Sequence, residues 1–202
     1  MNTLDAIYGR RAIKHYDKGH SLTGSEERHL LEATTQAPSS FNIQHWRLVI
    51  LRDLDLRQRI RDEFAGGQSQ ITDASLLVLF TADMKAWGKS PERYWQDSPE
   101  EVLAQMAKAM VRFHENRDAQ FQRDEAQRSI GMAMQTLMLA AHDLGYQSCP
   151  MIGYNSEGVA ELVKLPEDHV MGAMVAIGRG TEEPWPKPRR LSVDEISYEN
   201  SF

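Results

Sequence analysis

Two sets of residues in this 202-residue chain have types and spacing suited to chemistry. The first is Ala37-Pro38-Ser39-Ser40-Phe41-Asn42-Ile43-Gln44-His45-Trp46, which packs two hydroxyls, two amides, an imidazole and an indole into one short connection. Loops carried on a rigid helix–strand frame are where small-molecule contacts concentrate. Ser39, Ser40, Asn42 and Gln44 offer donors and acceptors suited to a flat, heteroatom-rich ligand. The same side chains could instead satisfy their own backbone in a helix-to-strand turn. The second set is basic: Arg10, Arg11 and Lys14 near the start, Lys187, Arg189 and Arg190 near the finish. A phosphate needs several charge-assisted donors converging on it, and guanidinium forks match its oxygens. Two clusters this far apart in sequence could meet in space to form such a site. Alternatively they are solvated surface charge, with Arg10 and Arg11 complementing the C-terminal end of a first helix.

Composition limits the other classes. A net charge of -6 argues against a nucleic-acid surface, which needs an excess of Lys and Arg. One cysteine, Cys149, excludes an internal disulfide framework and a multi-cysteine zinc site, and it reads as a packing thiol. The seven histidines are scattered with no His-x-x-x-His pair, so no metal site is expected. Gly178-Arg179-Gly180 is too short for a dinucleotide fingerprint. Residues 1–10 carry Asp5 and no apolar run of a secretory signal. Apolar stretches such as Leu76 to Phe80 fall far short of the ~20 residues that span a bilayer. A cytoplasmic protein without membrane or nucleic-acid partners is expected.

The elements that must position these residues follow from patterning. Thr3 to Gly9 reads as a short helix. Thr23 with Glu26 three residues on is a capping box opening a helix to about Ala37, which Pro38 ends. Trp46 to Leu51 is a strand, Asp53 to about Phe64 a helix, and Ala74 to Thr81 a buried strand. Gly66-Gly67-Gln68-Ser69-Gln70 is a flexible polar turn between the last two. Residues 83–98 form an irregular insert with Trp87, Tyr94 and Trp95. Ser98-Pro99-Glu100-Glu101 then opens a helix, with Ser98 as its cap. A second long helix runs from about Asp124 to Leu144 and stops at Gly145. From Ile130 to Ala141 it is apolar nearly all round, which demands cover on all sides and suggests a central helix partly buried by a second subunit. Gln147 to Gly153 is a strand or extended loop, Ser156 to Val163 a helix, Met171 to Ile177 a strand, and Val193 to Tyr198 a possible terminal strand. No repeat or linker interrupts the chain, so one α+β domain over residues 1–202 is expected.

Taken together, these pieces resemble the FMN-dependent nitroreductase family. Arg10-Arg11-Ala12-Ile13-Lys14-His15-Tyr16 is similar to its N-terminal phosphate motif, and Ala37 to Trp46 to its Ala-Pro-Ser-Ser-x-Asn-x-Gln-Pro-Trp loop. Leu139 to Gly145, continuing through Cys149-Pro150-Met151-Ile152-Gly153-Tyr154, resembles its helix and flavin-contacting turn, and Lys187-Pro188-Arg189 its late basic pair. The four blocks stand in order over nearly the whole chain, leaving mainly residues 83–122 without support.

The resemblance implies a mixed, mainly antiparallel sheet flanked by helices, in an interlocked homodimer with FMN at the interface. On the matching positions, Arg10, Lys187 and Arg189 would bind the FMN phosphate with Arg11 beside it. Lys14 would stand near flavin N1 and O2, stabilising charge on reduction, with no obligatory acid or base side chain. Pro38, Ser39, Ser40 and Asn42 would reach the flavin of the partner subunit. The Gly67-Gln68-Ser69-Gln70 turn would contact the pyrimidine edge or ribityl chain through Gln68 and Gln70, and Ile152 and Gly153 would offer N–H groups near N5. The implied activity is a ping-pong reduction of nitroaromatic, quinone or related small electrophiles by NADH or NADPH. Dehalogenation, enone reduction or non-catalytic FMN binding would look alike at this level. Three positions depart from the pattern. Ala12 replaces a hydroxyl that often bonds the phosphate, His45 replaces a Pro and should loosen the turn, and Ile152 stands where several members have Glu. The insert aromatics could stack on an acceptor, although Phe113 and Phe121 read more simply as core.

Overall fold

The structure is a computed structural model that describes residues 2–202. Helix α1 (Thr3–Gly9) is capped by Asn2, whose side chain accepts from Asp5 N. Helix α2 (Gly24–Thr34) opens on the expected Thr23/Glu26 box, with both reciprocal bonds present. Strand β1 (Trp46–Ile50) and helix α3 (Leu54–Arg59) follow, the latter continuing through a π turn at Ile60–Phe64. Next come the single turn α4 (Gln70–Asp73), strand β2 (Leu76–Asp83) and helix α5 (Glu100–Glu115). Helix α6 (Ala119–Asp143), strand β3 (Gln147–Met151), helix α7 (Ser156–Leu162), strand β4 (His169–Gly178) and helix α8 (Val193–Ile196) complete the chain.

The four strands form one sheet in the order β1-β2-β4-β3, with each neighbouring pair antiparallel. The parallel component is an isolated bridge, Ala12↔Ser148, outside the named strands. Strand β2 is buried along its whole length and serves two cores by alternation. Leu76, Val78, Phe80 and Ala82 face one cluster with Leu30 of α2 and Ile130, Ala133 and Leu137 of α6. Leu77 and Leu79 face the other, with Ile60, Ile71, Val159, Cys149 and Ile13. Helix α6 therefore lies central, against the sheet and against α2, as its apolar composition requires. Gly172 lets it approach: a Cβ there would fall 2.8 Å from the Ile130 methyl and 2.8 Å from the Phe80 carbonyl oxygen.

Several boundaries differ from the sequence reading. Helix α6 starts at Ala119 rather than Asp124, because the Asp118 carboxylate accepts from Phe121 N at 2.8 Å and caps it there. Ser98 does not cap α5; Pro99 holds the cap position and makes no side-chain cap bond. Residues 193–196 form helix α8, not a strand, since Ser192 and Glu195 make a second capping box. Phe113 is at the exposed margin of an aromatic cluster with Phe41, His114 and Phe121 rather than in the core, while Phe121 is half-buried. Among the described residues no helix is long and apolar enough to cross a membrane.

Candidate functional site

The N-terminal basic segment is laid along the free edge of β3. Ile13 N donates to Ser148 O at 3.2 Å, and the bridges Ala12↔Ser148 and Tyr16↔Gly180 hold either end. Ile13 and Tyr16 are buried pegs, and Tyr16 donates its hydroxyl to Ala176 O at 3.2 Å. Burial pushes the Tyr16 hydroxyl pKa up, so it stays a neutral donor. Pegging these two leaves Ala12 and Lys14 exposed and Arg10 and Arg11 half-buried.

The C-terminal cations do return to this place. Lys187 Nζ donates to Tyr8 O at 2.8 Å, at the end of α1. Desolvation, then repulsion from Arg11, Arg190 and Arg10, lowers the Lys187 pKa below its ordinary value. Cations from both ends of the chain are thus close enough to repel, an arrangement that an anion between them would relieve. Arg11 also serves the helix, its Nη1 donating to the carbonyls of Tyr8, Gly9 and Arg10, so both readings of that residue apply. Arg189 is not part of the cluster: it is 84% exposed, with Nη2 3.7 Å from Glu195. A cleft of about 380 Å³ opens beside the cluster, lined by Arg10, Arg11, His142, Tyr146 and Ser148 among others. A second, of about 290 Å³, lies over Ala12 and Lys14 beneath Trp185 and Pro188.

At the other end of β3 the ladder stops at Met151↔Met174. The next two N–H groups, of Ile152 and Gly153, therefore lie past the last rung, and Ile152 is 83% exposed. The polar turn is brought to them. Gly66 and Gly67 have φ of 59° and 78°, a region that disfavours side chains, and Gly67 N donates to Arg61 O at 2.9 Å. The π turn supplies that carbonyl, and frees Phe64 O to accept from Asn155 N at 2.8 Å. Gln68 Nε2 donates to Gly153 O at 2.7 Å, and Gln70 Nε2 donates to Gln68 Oε1 at 2.9 Å. Both amides thus brace the turn against Gly153. Lys14, two residues past a parallel bridge, runs along β3 toward this same end.

The Pro38–Trp46 loop lies elsewhere in the protomer, and it is tightly constrained. Phe41, Asn42 and Gln44 all have positive φ, at 51°, 57° and 51°. Such backbone persists only where surrounding bonds over-determine it. Ser39 Oγ accepts from Gln44 N at 2.9 Å, Asn42 Nδ2 donates to Tyr94 O at 2.9 Å, and Trp95 Nε1 donates to Phe41 O at 3.2 Å. His45 does not loosen the turn. It is 1% exposed, its Nδ1 is 3.1 Å from Ser129 Oγ on α6, and its carbonyl accepts from Asp83 N at 2.9 Å. Burial, reinforced by His114 and Arg47 and opposed by Glu125 and Asp83, lowers its pKa to about 4, so it is neutral at pH 7.

Two further groups bear on chemistry. Asp83, Asp168 and His169 converge, but Lys89 Nζ sits at 2.9 Å from Asp83 and 2.5 Å from Asp168, making this an ion-pair clasp on the insert. Cys149 is buried, and burial raises its pKa against the pull of Lys14 and Arg10, so it packs rather than reacts. The donor set around β3 fits a phosphorylated flavin: cations at one end, peptide N–H groups past the last rung of the ladder at the other. The Ser148 hydroxyl, buried without a hydrogen-bond partner among the described residues, stands between. Sequence reading passed over Ser148, because only its pairing with Ala12 brings it to the cluster. Arg190 was read as part of the basic group, while Arg189 was preferred as the phosphate ligand.

Against known proteins, the family model described as "Nitroreductase family" matches residues 7–179. The chain belongs to the nitroreductase family. It is 57% identical to Protein DrgA of Synechocystis sp. over 97% of this chain and 92% of that one. It is 30% identical to MhqN of Bacillus subtilis, named as a candidate NAD(P)H nitroreductase, with 93% of each chain covered. A candidate nitroreductase from Exiguobacterium sibiricum, solved in complex with FMN, superposes with a TM-score of 0.90 at 27% identity, covering 98% of this chain and 97% of that one. The α+β architecture read from the sequence is the architecture of this family.

Proposed function

We propose that this nitroreductase-family chain is an FMN-dependent oxidoreductase that uses NADH or NADPH to reduce nitroaromatic, quinone or related small electrophiles. The observation that carries the reading is the meeting of Arg10 and Arg11 with Lys187 and Arg190 beside β3, with the Ile152–Gly153 peptide at the far end of the same strand. The FMN complex of the Exiguobacterium relative and the NAD(P)H in the name of MhqN support it. When bound, FMN supplies two-electron transfer between nicotinamide and acceptor, in a ping-pong sequence at one open face.

The chain's own groups bind and orient. Arg10, Lys187 and, by rearrangement from Glu195, Arg189 would hold the phosphate, with Arg11 and Arg190 adding positive potential. Lys14 would place a fixed cation where negative charge develops, the arrangement that stabilises reduced products. The N–H groups of Ile152 and Gly153 would donate to the ring, and the Gln70–Gln68–Gly153 chain holds that peptide still. A homodimer completes the site: Pro38, Ser39, Ser40 and Asn42, remote from their own Arg10 cluster, would reach the neighbour's flavin. The segment with Trp185, Leu191, Val193, Ile196 and Tyr198, all more than 60% exposed, would be covered in that assembly.

Purification tests the reading. A yellow protein, bleached by NADH or NADPH and reoxidised by nitrofurazone or menadione, is the expected result. A yellow protein indifferent to both nicotinamides is a binding protein, and a colourless one that FMN cannot reconstitute overturns the proposal.

A further inference from the structure

The cleft beside the cationic cluster has polar walls, and most of their groups are engaged. Tyr146 donates its hydroxyl to Glu26 Oε1 at 2.6 Å, and Gln147 Oε1 accepts from Gly180 N at 2.7 Å. Arg11 is divided between the cleft and the carbonyls closing α1. Ser148 differs. It is 1% exposed and its backbone oxygen takes Ile13 N, yet its hydroxyl has no partner among the described residues. A buried hydroxyl without a hydrogen-bond partner is destabilising, so a protein keeps one where something else satisfies it.

The register says what that something is. Residues directly paired across a ladder point their side chains to the same face, and residues two apart on a strand share a face. Ser148 is paired with Ala12 across an isolated bridge, and it lines the cleft together with Arg10 and Arg11. Its neighbour Cys149 points the other way, into the core with Ile13 and Met151. The Ala12 side chain offers no donor, and the residue bridged to it from the strand opposite carries a hydroxyl. The cleft carries Arg10 and Arg11 together with Glu182 and Glu183, and Lys187 lies close to the two arginines, so an anion that the O–H could meet there would be held on the arginine side.

We propose that Ser148 is a ligand of the phosphate monoester, donating its hydroxyl to the same group that Arg10 binds and so supplying across the bridge the donor that Ala12 lacks. This rests on the FMN reading above and deepens it: it assigns the phosphate, rather than the ring, to the Ser148 end of β3. Riboflavin, which lacks the phosphate, is therefore the discriminating ligand.

The experiment is a fluorescence titration of apoprotein with FMN and with riboflavin, on wild type, Ser148→Ala, and Ser148→Ala combined with Ala12→Ser. A hydrogen bond to a charged acceptor is worth about 1.5–3 kcal/mol, so Ser148→Ala should raise the FMN Kd about tenfold or more. The riboflavin Kd should move by less than about twofold, since the missing contact is to phosphate alone. Adding Ala12→Ser restores a hydroxyl to the same face and should recover most of the FMN affinity. Should Ser148→Ala fail to fold, Ser148→Cys keeps the volume with only a weak donor and is read the same way. Unchanged FMN binding in the variant overturns the assignment while leaving the FMN reading intact; equal losses for both ligands make Ser148 a packing residue and also overturn it. A wild type that binds neither ligand defeats both.

Discussion

His45 offers a sharp test of how the loop before β1 is held. The imidazole is 1% exposed and bonded to Ser129, and its pKa falls from 6.5 to about 4 on folding, mainly through burial. A lowered histidine pKa means that the unfolded chain binds the proton more readily. The stabilising contribution is therefore complete above pH 6.5 and is lost as pH falls toward 4. At about 1.4 kcal/mol per pH unit, the full loss is about 3 kcal/mol, of which about 2.5 kcal/mol has gone by pH 4.5. That is a large part of the 5–15 kcal/mol that holds a typical protein folded. The perturbation is His45→Gln, whose amide can still meet Ser129 but does not titrate. Urea unfolding at pH 7 and pH 4.5, for wild type and variant, measures it. Wild type should lose about 2.5 kcal/mol more than the variant between the two. His114, whose pKa burial also lowers, is present in both and cancels to first order. Equal losses would show that His45 is already protonated in the native state or is hydrated there, and the account of the loop anchor would fail.

Three further outcomes are expected. Gly172→Ala places a methyl 2.8 Å from the Phe80 carbonyl, a backbone atom that cannot yield cheaply, so thermal melting should reveal about 1–3 kcal/mol of destabilisation; an unchanged melt would mean α6 has slack to retreat. Lys14→Ala should slow reduction of the bound flavin by NADH or NADPH about tenfold or more in anaerobic stopped flow, and unchanged occupancy and rate would remove Lys14 from the mechanism. Gln68→Leu breaks the 2.7 Å bond to Gly153 O and should weaken FMN binding about tenfold with a shifted flavin absorption band, whereas a wild-type spectrum and Kd would show that the brace is dispensable.

How much of this was legible beforehand varied with the range of the interaction. The Thr23/Glu26 box and the Gly145 stop are decided within a few residues, so sequence located them, and the alternation in β2 followed from its run of apolar residues. Where a short-range signal was ambiguous, reading failed. Asp118 outcompeted Asp124 as the start of α6, and Ser192/Glu195 turned an expected strand into α8. For Gln68 and Gln70, read as ligand contacts, the sequence could not show the added bond to Gly153, which arrives from 85 residues away. His45 looked like a loosened turn for the same reason: Ser129 lies 84 residues downstream.

The amino-acid order alone established the family, through four local motifs in succession, and most element types, through periodicity and caps that act over a few residues. Which cations meet was left to tertiary structure. The bridges at Ala12 and Tyr16 lay one basic segment along β3, and the tail brings Lys187 and Arg190 to it while Arg189 turns to Glu195. Only there does Ser148 become a candidate, because a hydroxyl is a donor anywhere, and the proposal that it is a ligand rests on folding having buried it beside Arg10 and Arg11 without a hydrogen-bond partner among the described residues.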